Sequence, residues 1–161
     1  MSDEILFVYT DGSTLKNGKK NSVGGIGVYF GEDDERNVSE KYMNKATNQR
    51  TELYAVIKAL QIVKDTNETR PVMIVSDSKY VVQGITEWIK NWKRNGWKSK
   101  NKTDVKNKEL WVELDELKSS ITTKIAFTWV RGHTDREDEH SQGNRMADEL
   151  AVKGSASVET E

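Results

Sequence analysis

The sequence predicts an α/β domain: a five-stranded mixed sheet with helices on both faces. Three observations predict it. Short apolar runs rich in β-branched residues recur five times, each bounded by Gly, Asn or charged clusters. Elsewhere the apolar residues switch to a spacing of three and four, the helical period. The order of the two patterns is three strands, a helix, a strand, helices, a strand and a helix, which suits a sheet with helices laid on it. The length, 161 residues, supports one such domain and not two of ordinary size. A single domain over residues 1–154 and a flexible tail over 155–161 are expected.

Residues 5–11 (ILFVYTD) read as a buried strand ending on an acid. Residues 12–21 carry two Gly and two Asn and read as a turn. Residues 23–30 (VGGIGVYF) read as a second strand, its glycines marking a bulge or a close backbone approach. A charged hairpin loop leads to a short third strand at 38–43. From Asn48, the spacing of Leu53, Val56, Ile57, Leu60 and Val63 predicts a helix of four turns. Pro71 opens a fourth strand that again ends on an acid, Asp77. Two short helices follow at 78–84 and 86–94, with a break expected at Gly84. A polar loop, a helix over 109–119, a fifth strand over 124–130, a charged loop and a helix over 144–152 complete the chain.

Composition narrows the chemistry. The chain has no Cys, which excludes disulfides, iron–sulfur clusters and a thiol nucleophile. Two His are too few for a His-rich zinc site. No apolar run approaches the length of a membrane span, and no G-x-G-x-x-G or P-loop pattern is present. The acidic start, MSDE, is unlike a secretory leader, so an intracellular protein, cytoplasmic or nuclear, is expected. The net charge of −1 conceals an asymmetry: residues 88–108 carry +7 and the remainder −8. Trp88, Trp92 and Trp97 lie among Lys93, Arg94, Lys98 and their basic neighbours. Charge runs are often only solvated faces, but basic groups interleaved with aromatics suit a nucleic-acid backbone.

Asp11 and Asp77 hold equivalent places at the ends of two strands, where ligands bind to α/β sheets. Glu52 lies one residue off the apolar stripe of the first helix, and Asp148 lies inside the last one. An Asp at a strand end is, taken alone, more often a turn former, and periodicity permits these four acids to meet without requiring it. Together they would have to take up protons or bind cations, and oxygen-only ligands favour Mg²⁺ or Mn²⁺. His133, in a loop, reads as ordinary surface or, near such a rim, as a proton shuttle.

The motifs YTDGS (9–13), TNQRTEL (47–53), VSDSKYV (75–81), GITEWIKNWKRNGWKSK (84–100), NKELW (107–111), WVRGHT (129–134) and NRMADELA (144–151) occur in order. In these stretches the chain resembles the type 1 ribonuclease H family nearly end to end. The turn after DGS and the TNQR spelling lean toward eukaryotic members. The resemblance implies that the first three strands are antiparallel and that the strands of Asp11 and Asp77 are parallel neighbours. It implies a metal-dependent endonuclease that hydrolyses the RNA strand of RNA–DNA hybrids with two Mg²⁺ ions, Mn²⁺ being able to replace them, and leaves 5′-phosphate and 3′-hydroxyl ends. It carries the catalytic and metal-binding roles onto Asp11, Glu52, Asp77 and Asp148, and a proton-transfer or product-release role onto His133. Nucleic-acid contacts are implied for Asn17, Thr47, Asn48 and Gln49. A basic protrusion over about 86–106 would grip the DNA strand through Trp88, Trp92, Lys93, Arg94, Trp97 and Lys98. A monomer with no membrane partner is expected. Residues 134–143 are longer and more acidic than the family pattern, and a mobile loop is expected there. A same-fold integrase or resolvase, a silent hybrid-binding module and the ribonuclease domain of a reverse transcriptase are the alternative readings.

Overall fold

The structure, a computed structural model, describes residues 4–15, 22–43 and 45–156. Five strands form one sheet in the order β3-β2-β1-β4-β5: β1 (Leu6–Leu15), β2 (Val23–Tyr29), β3 (Val38–Tyr42), β4 (Val72–Ser76) and β5 (Ile125–Trp129). The first three pair antiparallel, and β1–β4 and β4–β5 pair parallel. Strand alternation sorts the side chains onto two faces. Leu6, Val8, Val28, Val72 and Ile74 join the main core under α1 (Asn48–Asp65) and α4 (Lys108–Ser120). Tyr9, Val75 and half-buried Phe7 and Met73 lie on the other face, where α5 (Glu139–Ala156) crosses. No helix among the described residues is long and apolar enough to cross a membrane.

Several boundaries differ from the sequence reading. Strand β1 runs on to Leu15, because residues 12–15 pair with β2 instead of turning. Helix α1 is 18 residues, a turn longer than the four turns expected. The break expected at Gly84 is absent. Between α2 (Lys79–Gln83) and α3 (Ile89–Arg94), residues Gly84–Trp88 form a wide π turn, and Gly84 keeps right-handed helical angles. A side chain at Gly84 would collide with the Trp111 ring, so the glycine serves packing and not chain reversal.

Helix α5 starts at Glu139, five residues before the expected start, and so takes in part of the expected mobile loop. Asp138 fixes that start, accepting from Ser141 N at 3.1 Å and Ser141 Oγ at 2.9 Å. The first turn has no apolar residue, so no periodicity announces it. At the other end the helix reaches Ala156, and Ser155 is buried against Gly25, where a side chain would run into helix backbone. Ser155 is therefore packed, exposed Ala156 ends the helix, and the rest of the expected tail lies outside the described residues.

A charged clasp closes the sheet end where β1 begins. Arg36 pairs with Asp34 at 2.8 Å and Glu68 at 3.0 Å, and Arg70 pairs with Glu68 at 2.9 Å. The Arg70 guanidinium, aided by Arg36, holds the Glu68 carboxyl down to about 2 against the opposing effect of burial. A depressed carboxyl contributes stability above its unfolded value, near 4.5, that is lost as pH falls toward 2. Glu68→Gln is expected to cost about 2 kcal/mol at pH 7, a fall of roughly 4–8 °C in Tm, and to flatten the acid limb between those pH values. Thermal melts from pH 2 to 7 test this, and an unchanged acid limb would count against the clasp.

Candidate active site

Four carboxylates reach one end of the sheet from three directions. Asp11 is 3% exposed and its carboxylate accepts from Gly12 N at 2.9 Å. The parallel register Thr10↔Ser76 brings Asp77, the next residue after β4, beside it. Glu52 arrives on α1 from the opposite face. Gly12 allows this, since a Cβ there would lie 2.6 Å from the Glu52 backbone nitrogen. Asp148, half-buried on α5, adds a carboxyl close enough to act on Asp11.

One oxygen each of Asp11, Glu52 and Asp77 lies within 4.8 Å of the other two. The Glu52 Oε1 atom is buried and has no hydrogen-bond partner among the described residues. Acceptors therefore converge where the protein offers that oxygen no donor, and a cation fits such a gap. The donor set is oxygen only, which suits a hard divalent metal. Electrostatics agree. Burial, then Glu52, then Asp77 push the Asp11 carboxyl up to about 12. Burial and Asp77 raise Glu52 well above the ordinary range. Asp77 is raised by burial, against the amide of Asn144 and the nearby His133.

Asn144 is a residue that sequence reasoning gave no role. It is 3% exposed and four residues before Asp148, so both share one helix face toward the acids. That spacing, and its place at the head of the motif NRMADELA, were its signals. Gly132 backs Asp77, where a Cβ would meet the carboxyl, and Trp129 Nε1 donates to the Asp77 carbonyl at 3.0 Å. His133 is exposed and in the left-handed region at φ 55°. It is near enough to lower Asp77, but it lies outside the tight trio.

The nucleic-acid candidates divide by environment. Asn17 lies outside the described residues. Thr47 is the N-cap of α1, accepting from Arg50 N at 3.1 Å, so part of its hydrogen-bonding capacity is committed to the helix. Asn48 and Gln49 form the first turn beside it, and Gln49 Oε1 is buried without a partner among the described residues. Buried Arg50 bonds Glu109 at 3.0 Å and Asn107 at 3.3 Å, tying this turn to the base of the protrusion.

The tryptophans form a stack: Trp88–Trp92 at 5.8 Å, Trp92–Trp97 at 6.1 Å and Trp92–Trp111 at 5.3 Å between centroids. Half-buried Trp92 and Trp97 pack against the core and weld the protrusion to it, a structural task the sequence reading had not assigned them. Trp88 leans on Tyr80. Lys93 pairs with Asp115 at 3.2 Å and Lys98 with Asp104 at 2.7 Å, while Arg94 is exposed.

The profile of the family RNase H matches residues 3–156. The ribonuclease H of Francisella philomiragia is 43% identical over 155 residues, covering 95% of this chain and 92% of that protein. The chain is also similar to LC9-RNase H1, described as a type 1 RNase H with the type 2 active-site motif. There the TM-score is 0.75 at 29% identity, over 94% of this chain and 72% of that one. The foamy viral protease-reverse transcriptase in complex with RNA/DNA hybrid matches at TM-score 0.76 and 29% identity, over 95% of this chain and 20% of that one.

Proposed function

The chain belongs to the RNase H family, metal-dependent endonucleases of the RNA strand in RNA–DNA hybrids, and on that premise we propose that Asp11, Glu52, Asp77 and Asp148 are its catalytic metal ligands. The convergence of three carboxylate oxygens within 4.8 Å, one of them buried without a donor, carries this reading. Two Mg²⁺ ions, or Mn²⁺ in their place, would supply an activated water and neutralise the leaving 3′-oxygen, giving 5′-phosphate and 3′-hydroxyl ends.

The protein's own share is positional. Burial and mutual repulsion keep the acids avid for cations at neutral pH. Buried Asn144 lies close enough to favour the ionised Asp77 carboxyl, its Nδ2 having no hydrogen-bond partner among the described residues. His133, exposed beside Asp77, exchanges protons with solvent or eases product departure. Thr47, Asn48 and Gln49 at the start of α1, with Asn17, meet the backbone and 2′-hydroxyls near the cut, and Trp88 meets the DNA sugars. Selection is by duplex shape, since no motif in the sequence is suited to reading base edges. The working unit is a monomer.

An end-labelled RNA–DNA hybrid two helical turns long, incubated with and without Mg²⁺ beside matched RNA–RNA and DNA–DNA duplexes, tests the function. Mg²⁺-dependent cutting of the hybrid's RNA alone is expected. Cutting of either control duplex, or none without other metals, would refute the assignment.

The protrusion gives a separate expectation. Replacing Lys93, Arg94 and Lys98 together by Ala weakens hybrid binding and lowers the slope of log affinity against log salt by about 0.9 for each phosphate no longer neutralised. Lys93 and Lys98 exchange their carboxylate partners for phosphates on binding, so Arg94→Ala alone gives a sizeable part of the change. Binding isotherms at four salt concentrations measure it. An unchanged slope would place this patch away from nucleic acid.

A further inference from the structure

The acidic body of the protein contains a groove that the nuclease reaction does not use. It lies between the start of β1, the end of β2 and the flank of α5, and holds about 1220 Å³. We propose that it docks a Lys/Arg-rich extended segment of a partner protein, while the opposite end of the sheet handles nucleic acid.

Shape and charge both point to that occupant. Phe7, Tyr9 and Tyr29 line the groove, and apolar Ile5 and Met146 stand 46% and 37% exposed at its edges. Glu32, Glu137, Glu139 and Glu149 surround this floor. Among the described residues, the one cation in the lining is Arg145. It is turned to its own loop, donating to the carbonyls of Thr134 at 3.0 Å and Arg136 at 2.8 Å. The negative field reaches the floor: burial, then Glu32 and Asp33, raise the Tyr29 phenol.

The part-exposed Phe7 and Tyr29 rings between carboxylates, with Tyr9 buried beneath them, match Lys and Arg side chains. Their stems cover rings, their charged heads meet acids, and ring faces attract cations. The protein itself shows the pairing at the groove's end, where the Arg36 guanidinium sits 4.4 Å from the Phe30 ring centre. The groove is open and its lining comes from three elements, which suits a chain segment better than an enclosed small molecule. Outside residues 88–108 the protein carries −8, so a nucleic-acid backbone is repelled from this face and a basic segment is drawn to it.

The test uses a fluorescein-labelled dodecapeptide of repeating Lys-Tyr-Lys, with a Glu-Tyr-Glu peptide as control, and fluorescence anisotropy with full-length protein at low salt. Saturable binding of the basic peptide alone is expected. Glu139→Gln with Glu149→Gln should weaken it at least fivefold, with hybrid cleavage retained as a check on folding. The exposed pair Glu113→Gln with Glu116→Gln on α4 should leave it within twofold. Equal loss in the two double variants would reduce the effect to diffuse charge and overturn the proposal. Sedimentation at the same salt gives a third decision. Self-association abolished by Glu139→Gln with Glu149→Gln would make the groove a seat for a second copy's own basic protrusion, and the partner-segment reading would fall.

Discussion

Asp77→Asn is expected to leave the protein folded and bound to hybrid yet reduce RNA cleavage by at least about 10³-fold. The argument rests on what the substitution keeps. Asparagine has the shape of aspartate, so the packing at Gly132 and the Trp129 bond to the residue 77 carbonyl persist. It loses one of the three oxygens that converge within 4.8 Å, and with it a formal charge. A divalent site that loses a carboxylate ligand loses both affinity and the geometry that transition-state charge requires. The proposed hybrid-binding surface, by contrast, is the protrusion and the start of α1. Single-turnover cleavage at saturating protein, paired with binding in metal-free buffer, separates the two effects. Wild-type turnover in Mg²⁺ would remove Asp77 from the site. Lost binding together with lost cleavage would mean that the acid end also shapes the hybrid surface.

The sheet and its two strand-end acids were legible because local chemistry encodes them. Apolar β-branched runs name β1 and β4, and each run stops at an acid. Glu52 was visible as an off-stripe residue on a periodic helix. Its convergence with Asp11 was not, because it depends on Gly12 letting α1 approach a strand distant in sequence. The same limit hid Asn144, whose meaning comes from a face shared with Asp148 and aimed at Asp77. Polar segments were misjudged for a related reason. The first turn of α5 offers no periodicity and is held by the Asp138–Ser141 cap. Ser155 is polar near the chain end, yet it is buried because Gly25 makes room. The tryptophans show the converse. Their spacing among lysines suggests a nucleic-acid surface, but Trp92 first packs edge-on against Trp111 and Trp97 packs on Trp92. Composition records which groups are present and does not say which side of a ring faces inward.

The acids proposed to hold the metal burden the metal-free fold, and Asp11→Asn should expose that cost. Burial beside Glu52 and Asp77 raises the Asp11 carboxyl to about 12, whereas in the unfolded chain it titrates near 4. Between those values the folded state holds a proton that the unfolded state has released. Folding then takes up a proton, and stability falls as pH rises. One isolated site would lose about 1.4 kcal/mol per pH unit, but neighbouring acids share the proton and water reaches the rim. A net gain of about 2 kcal/mol for Asp11→Asn at pH 8 in chelator follows, or roughly 4–8 °C in Tm. The gain should shrink toward pH 5. Mg²⁺ supplies the missing positive charge, so it should raise the Tm of the wild type and raise that of Asp11→Asn by less. Melts at pH 5, 6.5 and 8, with chelator or Mg²⁺, decide it. A wild-type Tm that is flat with pH in chelator, or a variant less stable throughout, would mean that Asp11 holds the fold together rather than straining it.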